Sequence, residues 1–232
     1  MVRGHVTSVE EIRDIIIADI VLIIAFSLTI SGGIVAFQSS SSKTLETFLY
    51  YMPIAAVAVS LSFILHEMMH KFVAQRYGAA AEFRTSWTGL AITLVTGAFG
   101  FLLGIPGATY IYTNSFTSKE DGIVSLAGPL TNLAVFAVFF ALLFALSPAK
   151  NSYLASAISF TIFISLLLAF FNMLPIFPLD GSKVLRWNKP VYAAFMILLL
   201  GLIIYFNVLT WYDVLIMIGI ALVFSLFYRF TL

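Results

Sequence analysis

The chain has no cysteine and very little charge. Among its 232 residues are 12 Lys or Arg and 11 Asp or Glu, so charged residues make up only 10%. The absence of cysteine excludes disulfides and thiolate metal ligands. The net charge of +1 gives no reason to expect a nucleic-acid partner. In a soluble domain about a quarter of the residues would be charged. This deficit of charge indicates that much of the surface of the chain is not in contact with water.

Long apolar stretches stand where charge is missing. Hydrophobic residues make up 61% of the chain, and the mean hydropathy is +1.05. Crossing a bilayer takes about 20 apolar residues, and candidate spans lie at 15–37, 48–76, 123–147, 153–174, 190–207 and 211–228. We therefore predict an all-α polytopic membrane protein, with about six transmembrane helices in one domain over 1–232. Its surroundings would be a lipid bilayer.

A seventh apolar piece, 89–105, is shorter than the others and rich in glycine. The following "PGATYIYTNSF" (106–116) alternates β-branched and aromatic residues, which favours a strand. We predict a re-entrant or β-hairpin element at about 89–115, which membrane depth permits only if protein covers its backbone. Its exposed strand could pair with an extended substrate. Alternatively, the element could be a structural plug over a cavity.

The basic residues predict how the chain is oriented in the membrane. Lys and Arg concentrate on the cytoplasmic side of membrane proteins. With the N-terminus on that side, only Lys43 and Lys150 fall on the opposite side. The other ten of the twelve share the cytoplasmic side: Arg3, Arg13, Lys71, Arg76, Arg84, Lys119, Lys183, Arg186, Lys189 and Arg229. We predict a multi-pass protein of the cell membrane with a cytoplasmic N-terminus.

The second span contains the polar sequence "HEMMH" at residues 66–70. On a helix, His66 and His70 are one turn apart on the same face, so both imidazoles can reach a single Zn²⁺. Glu67 is placed to take a proton from the attacking water, as in H-E-x-x-H metalloproteases. Polar contacts between helices are the alternative. Ionisable groups within a span are costly and usually functional, which favours a metal site.

A catalytic zinc usually has three protein ligands, and no histidine follows His70. Asp180 is the best candidate, because Pro175 and Pro178 interrupt the helix before it and Gly181 follows it. On the predicted topology, spans 48–76 and 153–174 both run toward the cytoplasmic side, so Asp180 would reach the histidines there. The alternative is an interfacial aspartate that caps the next segment. We predict one Zn²⁺ per chain, with the active site on the cytoplasmic side.

Three motifs together resemble the site-2 protease group of intramembrane zinc metalloproteases. They are H-E-x-x-H at 66–70, "AGPLTN" at 127–132, and N-x-x-P-x-x-x-x-D-G from Asn172 to Gly181. The resemblance implies a three-helix catalytic core within about 48–185, with accessory helices at 15–37, 190–207 and 211–228. About fifty residues separate His70 from "AGP", too few for a PDZ domain, and nothing like a CBS domain follows. The resemblance therefore implies a minimal form.

The same resemblance implies an activity and roles for residues. The activity is regulated intramembrane proteolysis, the cleavage of transmembrane protein substrates within or near their helices. His66, His70 and Asp180 would be the zinc ligands, Glu67 the general base, and Asn172 would hold the substrate backbone or the tetrahedral intermediate. An interhelical hydrogen bond is the alternative role for Asn172. For Gly128, Pro129 and Asn132, a direct role at the site and close helix packing are both open.

Two other functions compete with this one. A second class of membrane H-E-x-x-H protease takes its third ligand from an E-x-x-x-D/N pattern, which neither Glu82 nor Glu120 begins. A zinc-binding membrane scaffold or transporter would have no need of Glu67. Asp19, five residues into the first span, is expected at the cytoplasmic interface, with a role in lining a water path as the alternative.

Overall fold

The computed structural model describes residues 7–39, 41–100, 102, 104, 106–113, 116–150 and 152–231. Arg3 and the side chain of Arg229 therefore lie outside the described part of the chain. The fold is mostly helical. Its elements in order are α1 (Val9–Ile30), α2 (Gly33–Ser39), α3 (Ser41–Val59), a π-helical segment (Ser60–Ile64), α4 (Leu65–Arg76), β1 (Ala80–Thr85), α5 (Trp87–Ala98), β2 (Gly107–Tyr112), α6 (Ser118–Leu146), α7 (Tyr153–Asn172), α8 (Asp180–Trp187), α9 (Lys189–Tyr205) and α10 (Trp211–Thr231).

Three of the described helical stretches are long and apolar enough to cross a membrane: Ser42–Arg76, Ser118–Leu146 and Tyr153–Asn172. The bent pair α1 and α2 adds a fourth if it counts as one span. These findings confirm the predicted helical membrane fold. The three long stretches are the ones assigned to the catalytic core. Helix α9 and the apolar part of α10, Val214–Val223, coincide with the last two predicted spans, but both are shorter than the three long stretches, and the number six stays a prediction.

The small sheet confirms a strand within the predicted element at 89–115. Strand β2 pairs antiparallel with β1, with Phe83 opposite Thr109 and Ala81 opposite Ile111. Helix α5 occupies the first part of the element. Residues 101, 103, 105, 114 and 115 of the element lie outside the described part of the chain. The partner strand β1 comes before the predicted element and was not foreseen.

Helix α1 covers the outer edge of β1 with two carboxylates. Glu11 accepts the backbone N–H of Phe83 at 3.0 Å, and Asp14 accepts that of Thr85 at 3.3 Å. Glu11 also pairs with Lys71 at 2.5 Å, and each of these two side chains is only 1% exposed. A buried charge is tolerated when it is paired and hydrogen-bonded in this way. The contacts fasten the sheet to α1 and to the helix that carries the histidines.

The π-helical segment lies directly before the histidine turn of α4. Ser60 donates a hydrogen bond to the buried Asp19 carboxylate at 2.6 Å, and the hydroxyls of Ser62 and Ser165 are 2.8 Å apart. Asp19 is thus buried against the π-helical segment, and its place at the membrane interface stays a prediction. Such a segment changes the phase of the helix after it and is common at functional sites. It therefore helps to set the face on which His66 and His70 lie.

Helix α6 brings its first turns to the histidines. It begins with a capping box, in which the Thr117 hydroxyl accepts the N–H of Glu120 while the Glu120 carboxylate accepts the N–H of Thr117. Helix α7 runs antiparallel to α6 and ends at Asn172. The first turns of α4, the N-terminal half of α6 and the turn after α7 therefore meet at the histidines.

Candidate metal centre

Two side chains of α4 and one from a distant part of the chain, at the start of α8, converge beside α6. The Nε2 atoms of His66 and His70 are 3.0 Å apart. The Asp180 Oδ2 atom lies 3.4 Å from the first of them and 3.2 Å from the second. Both histidines are buried and Asp180 is half-buried. In the described part of the chain, these three form a group able to hold a metal ion.

The spacing of the three donor atoms fits a tetrahedral zinc site. Ligand bonds of about 2.0–2.1 Å at a tetrahedral angle place donor atoms about 3.3–3.4 Å apart. The observed separations of 3.0, 3.2 and 3.4 Å lie close to that value. Two imidazoles and one carboxylate also form a donor set that zinc accepts in catalytic sites. The residues present therefore fit the ion.

The second nitrogen of each imidazole is held by α6. The His70 Nδ1 atom lies 2.7 Å from the carbonyl oxygen of Val124. It must carry the proton, which leaves the Nε2 lone pair free for a metal. The His66 Nδ1 atom lies 3.1 Å from the side-chain amide of Asn132, which is fully buried. Zinc on Nε2 requires a proton on that Nδ1, so the oxygen of the Asn132 amide would face it when metal binds.

Gly128 makes room for the two imidazoles. A Cβ atom at this position would lie 2.6 Å from the His66 Nε2 atom and closer still to the His70 Nε2 atom. Any side chain larger than hydrogen would therefore displace both donor atoms. The "AGPLTN" segment, for which close packing was an open alternative, contacts the proposed ligands directly through Gly128 and Asn132. Pro129 is buried within α6.

The turn between α7 and α8 delivers Asp180 to the site. Pro175 and Pro178 lie in this turn, and α8 begins at Asp180 itself. Gly181 lets the chain pass close to α7, because a Cβ there would lie 2.7 Å from the Leu174 carbonyl oxygen and closer still to that of Met173. Burial raises the pKa of the Asp180 carboxyl, but His70 and His66 beside it lower that pKa more. A carboxyl binds a metal ion in its ionised form.

Glu67 is half-buried one residue after His66, and β2 holds its carboxylate. The backbone N–H of Thr109 donates to its Oε2 atom at 2.9 Å, and the Thr109 hydroxyl donates to the same oxygen at 2.8 Å. The hydroxyl also lies 3.1 Å from the Glu67 carbonyl oxygen. The residue predicted as the base is therefore connected to the sheet as well as to the histidine helix.

Asn172, the fifth predicted site residue, has its described hydrogen bond within its own helix. It is the last residue of α7, and its side-chain amide donates to the Leu168 carbonyl oxygen one turn back at 3.0 Å. It is partly exposed near the start of the turn that leads to Asp180. Its role toward a substrate stays a prediction.

Comparison with known proteins places the chain in a family. The sequence model of "Peptidase family M50" matches residues 147–189, which include α7 and the turn to Asp180. A protein of Methanocaldococcus jannaschii named "Putative zinc metalloprotease MJ0611" is 44% identical over 153 residues, covering 66% of this chain and 79% of that relative. The chain belongs to peptidase family M50. The resemblance to site-2 proteases read from the motifs is thereby confirmed.

Other relatives of this M50 chain have similar names. Bacillus subtilis "Putative zinc metalloprotease YwhC" is 31% identical over 165 residues, which cover 61% of the chain and 74% of the relative. Mycobacterium tuberculosis "Putative zinc metalloprotease Rip3" is 32% identical over 138 residues, or 58% of the chain, but only 31% of that relative is covered. The match to Rip3 thus concerns about a third of a longer protein.

Two functional contacts were missed by sequence reasoning about this M50 chain. Thr109 was counted only as part of a strand, and for Asn132 a direct role was left open beside close helix packing, without naming His66 as its partner. For Asn132 a signal existed, because an imidazole that binds metal through one nitrogen needs a polar partner for the other nitrogen. No local pattern indicates that Thr109 reaches Glu67.

Proposed function

We propose that this chain is an intramembrane zinc metalloendopeptidase that cleaves transmembrane proteins within or near their helices, in regulated intramembrane proteolysis. The observation that carries the proposal is the convergence of His66, His70 and Asp180 donor atoms within 3.0–3.4 Å, one residue from Glu67. These three would hold one Zn²⁺ in a single domain over 1–232. The basic-residue distribution supports a cytoplasmic N-terminus and an active site facing that side.

The reaction would need two proton transfers at the Glu67 carboxylate. Zinc, when bound, lowers the pKa of water and polarises the scissile carbonyl. Glu67 takes the proton of the attacking water and then gives it to the leaving amine. His66 and His70 stay neutral and oriented through their Nδ1 atoms by Asn132 and Val124. Asn172 is proposed to hold the substrate backbone or the tetrahedral intermediate beside this centre.

Metal removal tests the proposed function. Purified protein in lipid nanodiscs, mixed with a single-helix membrane substrate, should cleave that substrate. We expect a chelator that empties the site to stop cleavage and added Zn²⁺ to restore it, because the family chemistry depends on the metal. Product analysis by mass spectrometry locates the cut. Cleavage that continues after complete zinc removal, or a cut confined to soluble tails, would contradict the proposal.

An extended substrate segment is proposed to dock on the outer edge of β2. The opposite edge of the sheet is closed, because Glu11 and Asp14 accept the N–H groups of Phe83 and Thr85. Residues Phe83 and Thr109 are opposite each other in the sheet. The backbone N–H of each points away from the partner strand, that of Phe83 toward Glu11 and that of Thr109 toward Glu67. Antiparallel pairs alternate in this respect, so the N–H of Ile111 lies on the outer edge too. A substrate strand can pair there.

Proline at position 111 tests this docking edge. I111P removes the outward N–H, and we expect a raised KM, by roughly fivefold for one lost substrate hydrogen bond, with bound zinc unchanged. I111A is the control, since it also loses the side-chain packing of Ile111 but keeps the N–H, and it should retain the unaltered KM. Equal KM values for I111P and the unaltered protein would exclude this edge.

A further inference from the structure

The contact between β2 and Glu67 assigns a function to Thr109. Two donors of one residue, the backbone N–H and the hydroxyl, converge on the same carboxylate oxygen at 2.9 and 2.8 Å. Thr109 is 42 positions away along the chain and belongs to a different element. The contact therefore results from the placement of the sheet against α4 and is not a local turn or cap.

The geometry restricts what Glu67 can do. A glutamate side chain has several rotatable bonds and would otherwise sample many rotamers at a half-buried position. Because two donors hold Oε2, a single rotamer of Glu67 is selected. Oε1 is left as the oxygen that can receive a proton. Hydrogen bonds to an ionised group are also stronger than those between neutral groups. Thr109 thus fixes both the position and the free oxygen of the carboxylate.

The sheet itself is held so that Thr109 stays in place. Strand β1 is fastened through Phe83 to Glu11, whose other oxygen pairs with Lys71 on the histidine helix. Strand β2 follows β1 through the register that puts Thr109 opposite Phe83. The chain of contacts from α1 through both strands therefore ends at Glu67. A group positioned by such support can hold its geometry more precisely than one on an isolated loop.

We propose that Thr109 is a positioning residue for the catalytic base, acting on the reaction only through Glu67. This inference rests on the proposed function, in which Glu67 transfers the protons. It differs from substrate docking on the same strand, because a docking residue affects substrate affinity whereas a residue that positions the base affects turnover. The two roles are separable by measurement.

The test compares T109V, T109S and T161V with the unaltered full-length protein in nanodiscs. T109V removes the hydroxyl at nearly constant volume, while T109S retains it. Thr161 is a buried threonine of α7 whose hydroxyl bonds to Ala157 in its own helix, so T161V is the matched control. We expect T109V to lower kcat by about tenfold to a hundredfold, as for a misplaced catalytic group, with KM and zinc content unchanged. T109S and T161V should keep the unaltered kcat.

Two results would overturn the inference: an unaltered kcat in T109V, with or without a raised KM, or an equal loss of kcat in T109S. Thermal unfolding gives a second measurement that needs no cleavage. The change in Tm of T109V should be smaller in an E67Q background than in the unaltered protein, because the bonded partner is weakened. Additive changes in Tm would show that the two side chains do not interact. If the unaltered protein cleaves nothing, the proposed function fails first, and the role of Thr109 with it.

Discussion

Replacement of Glu67 by glutamine is expected to lower the rate of cleavage by about 10²–10⁴-fold, the usual contribution of a general base. The amide has almost the same shape as the carboxylate and can still accept the Thr109 hydrogen bonds, so the fold and the metal ligands should be unaffected. It cannot take a proton from water at neutral pH. Bound zinc, measured by mass spectrometry of the purified protein, should therefore equal that of the unaltered chain.

Glu10 provides the matched control for this substitution. It lies in the first turn of α1 and is exposed, so E10Q makes the same chemical change away from the site and should leave the rate unaltered. An E67Q protein that keeps its zinc and cleaves at the rate of E10Q would remove Glu67 from the mechanism. Loss of zinc in E67Q would instead mean that Glu67 supports the metal.

Replacement of Gly128 by alanine is expected to prevent zinc binding and, with it, cleavage. The added Cβ would lie 2.6 Å from His66 Nε2 and still closer to His70 Nε2, while Val124 and Asn132 on the same helix hold the far side of both rings. The rings cannot move away without breaking those hydrogen bonds. Loss of a hydrogen-bond partner behind a metal ligand lowers the metal affinity by up to about a hundredfold. A direct clash with both donor atoms should lower the zinc affinity at least as much.

Gly201 of α9 offers the control for the Gly128 substitution. A Cβ at Gly201 would meet no heavy atom within 4 Å, and alanine is the better helix former, so G201A should bind zinc and cleave as the unaltered protein does. Competition with a chromophoric chelator measures the zinc affinity of both variants. A G128A protein with unaltered zinc affinity would show that the metal lies elsewhere than between these two imidazoles.

Much of the architecture could be predicted because its causes are local. Spans depend on the length of apolar stretches, and the spacing of His66 and His70 follows from the helical period. Asp180 could be placed because Pro175 and Pro178 end the helix before it and because the predicted topology brought it to the histidine end. The strand at 107–112 was readable from its alternation.

The remaining features depend on contacts between distant segments. Strand β1 spans only six residues, in which Ala81 and Phe83 are buried and Glu82 and Arg84 are not. Such a short alternation is weak evidence without a partner. Its stability depends on Glu11 and Asp14, some seventy positions earlier. The closeness of Gly128 to the imidazoles results from the packing of α6 on α4, which composition and periodicity do not specify.

The central claim is that His66, His70 and Asp180 bind one zinc ion. X-ray absorption at the zinc edge, combined with metal analysis of the purified protein, tests it most directly. We expect one zinc per chain with nitrogen and oxygen donors at about 2.0–2.2 Å and the outer-shell scattering of two imidazoles. The D180N protein should show a changed donor shell and weaker binding. A zinc content well below one per chain, or a shell with fewer than two imidazoles, would contradict the account.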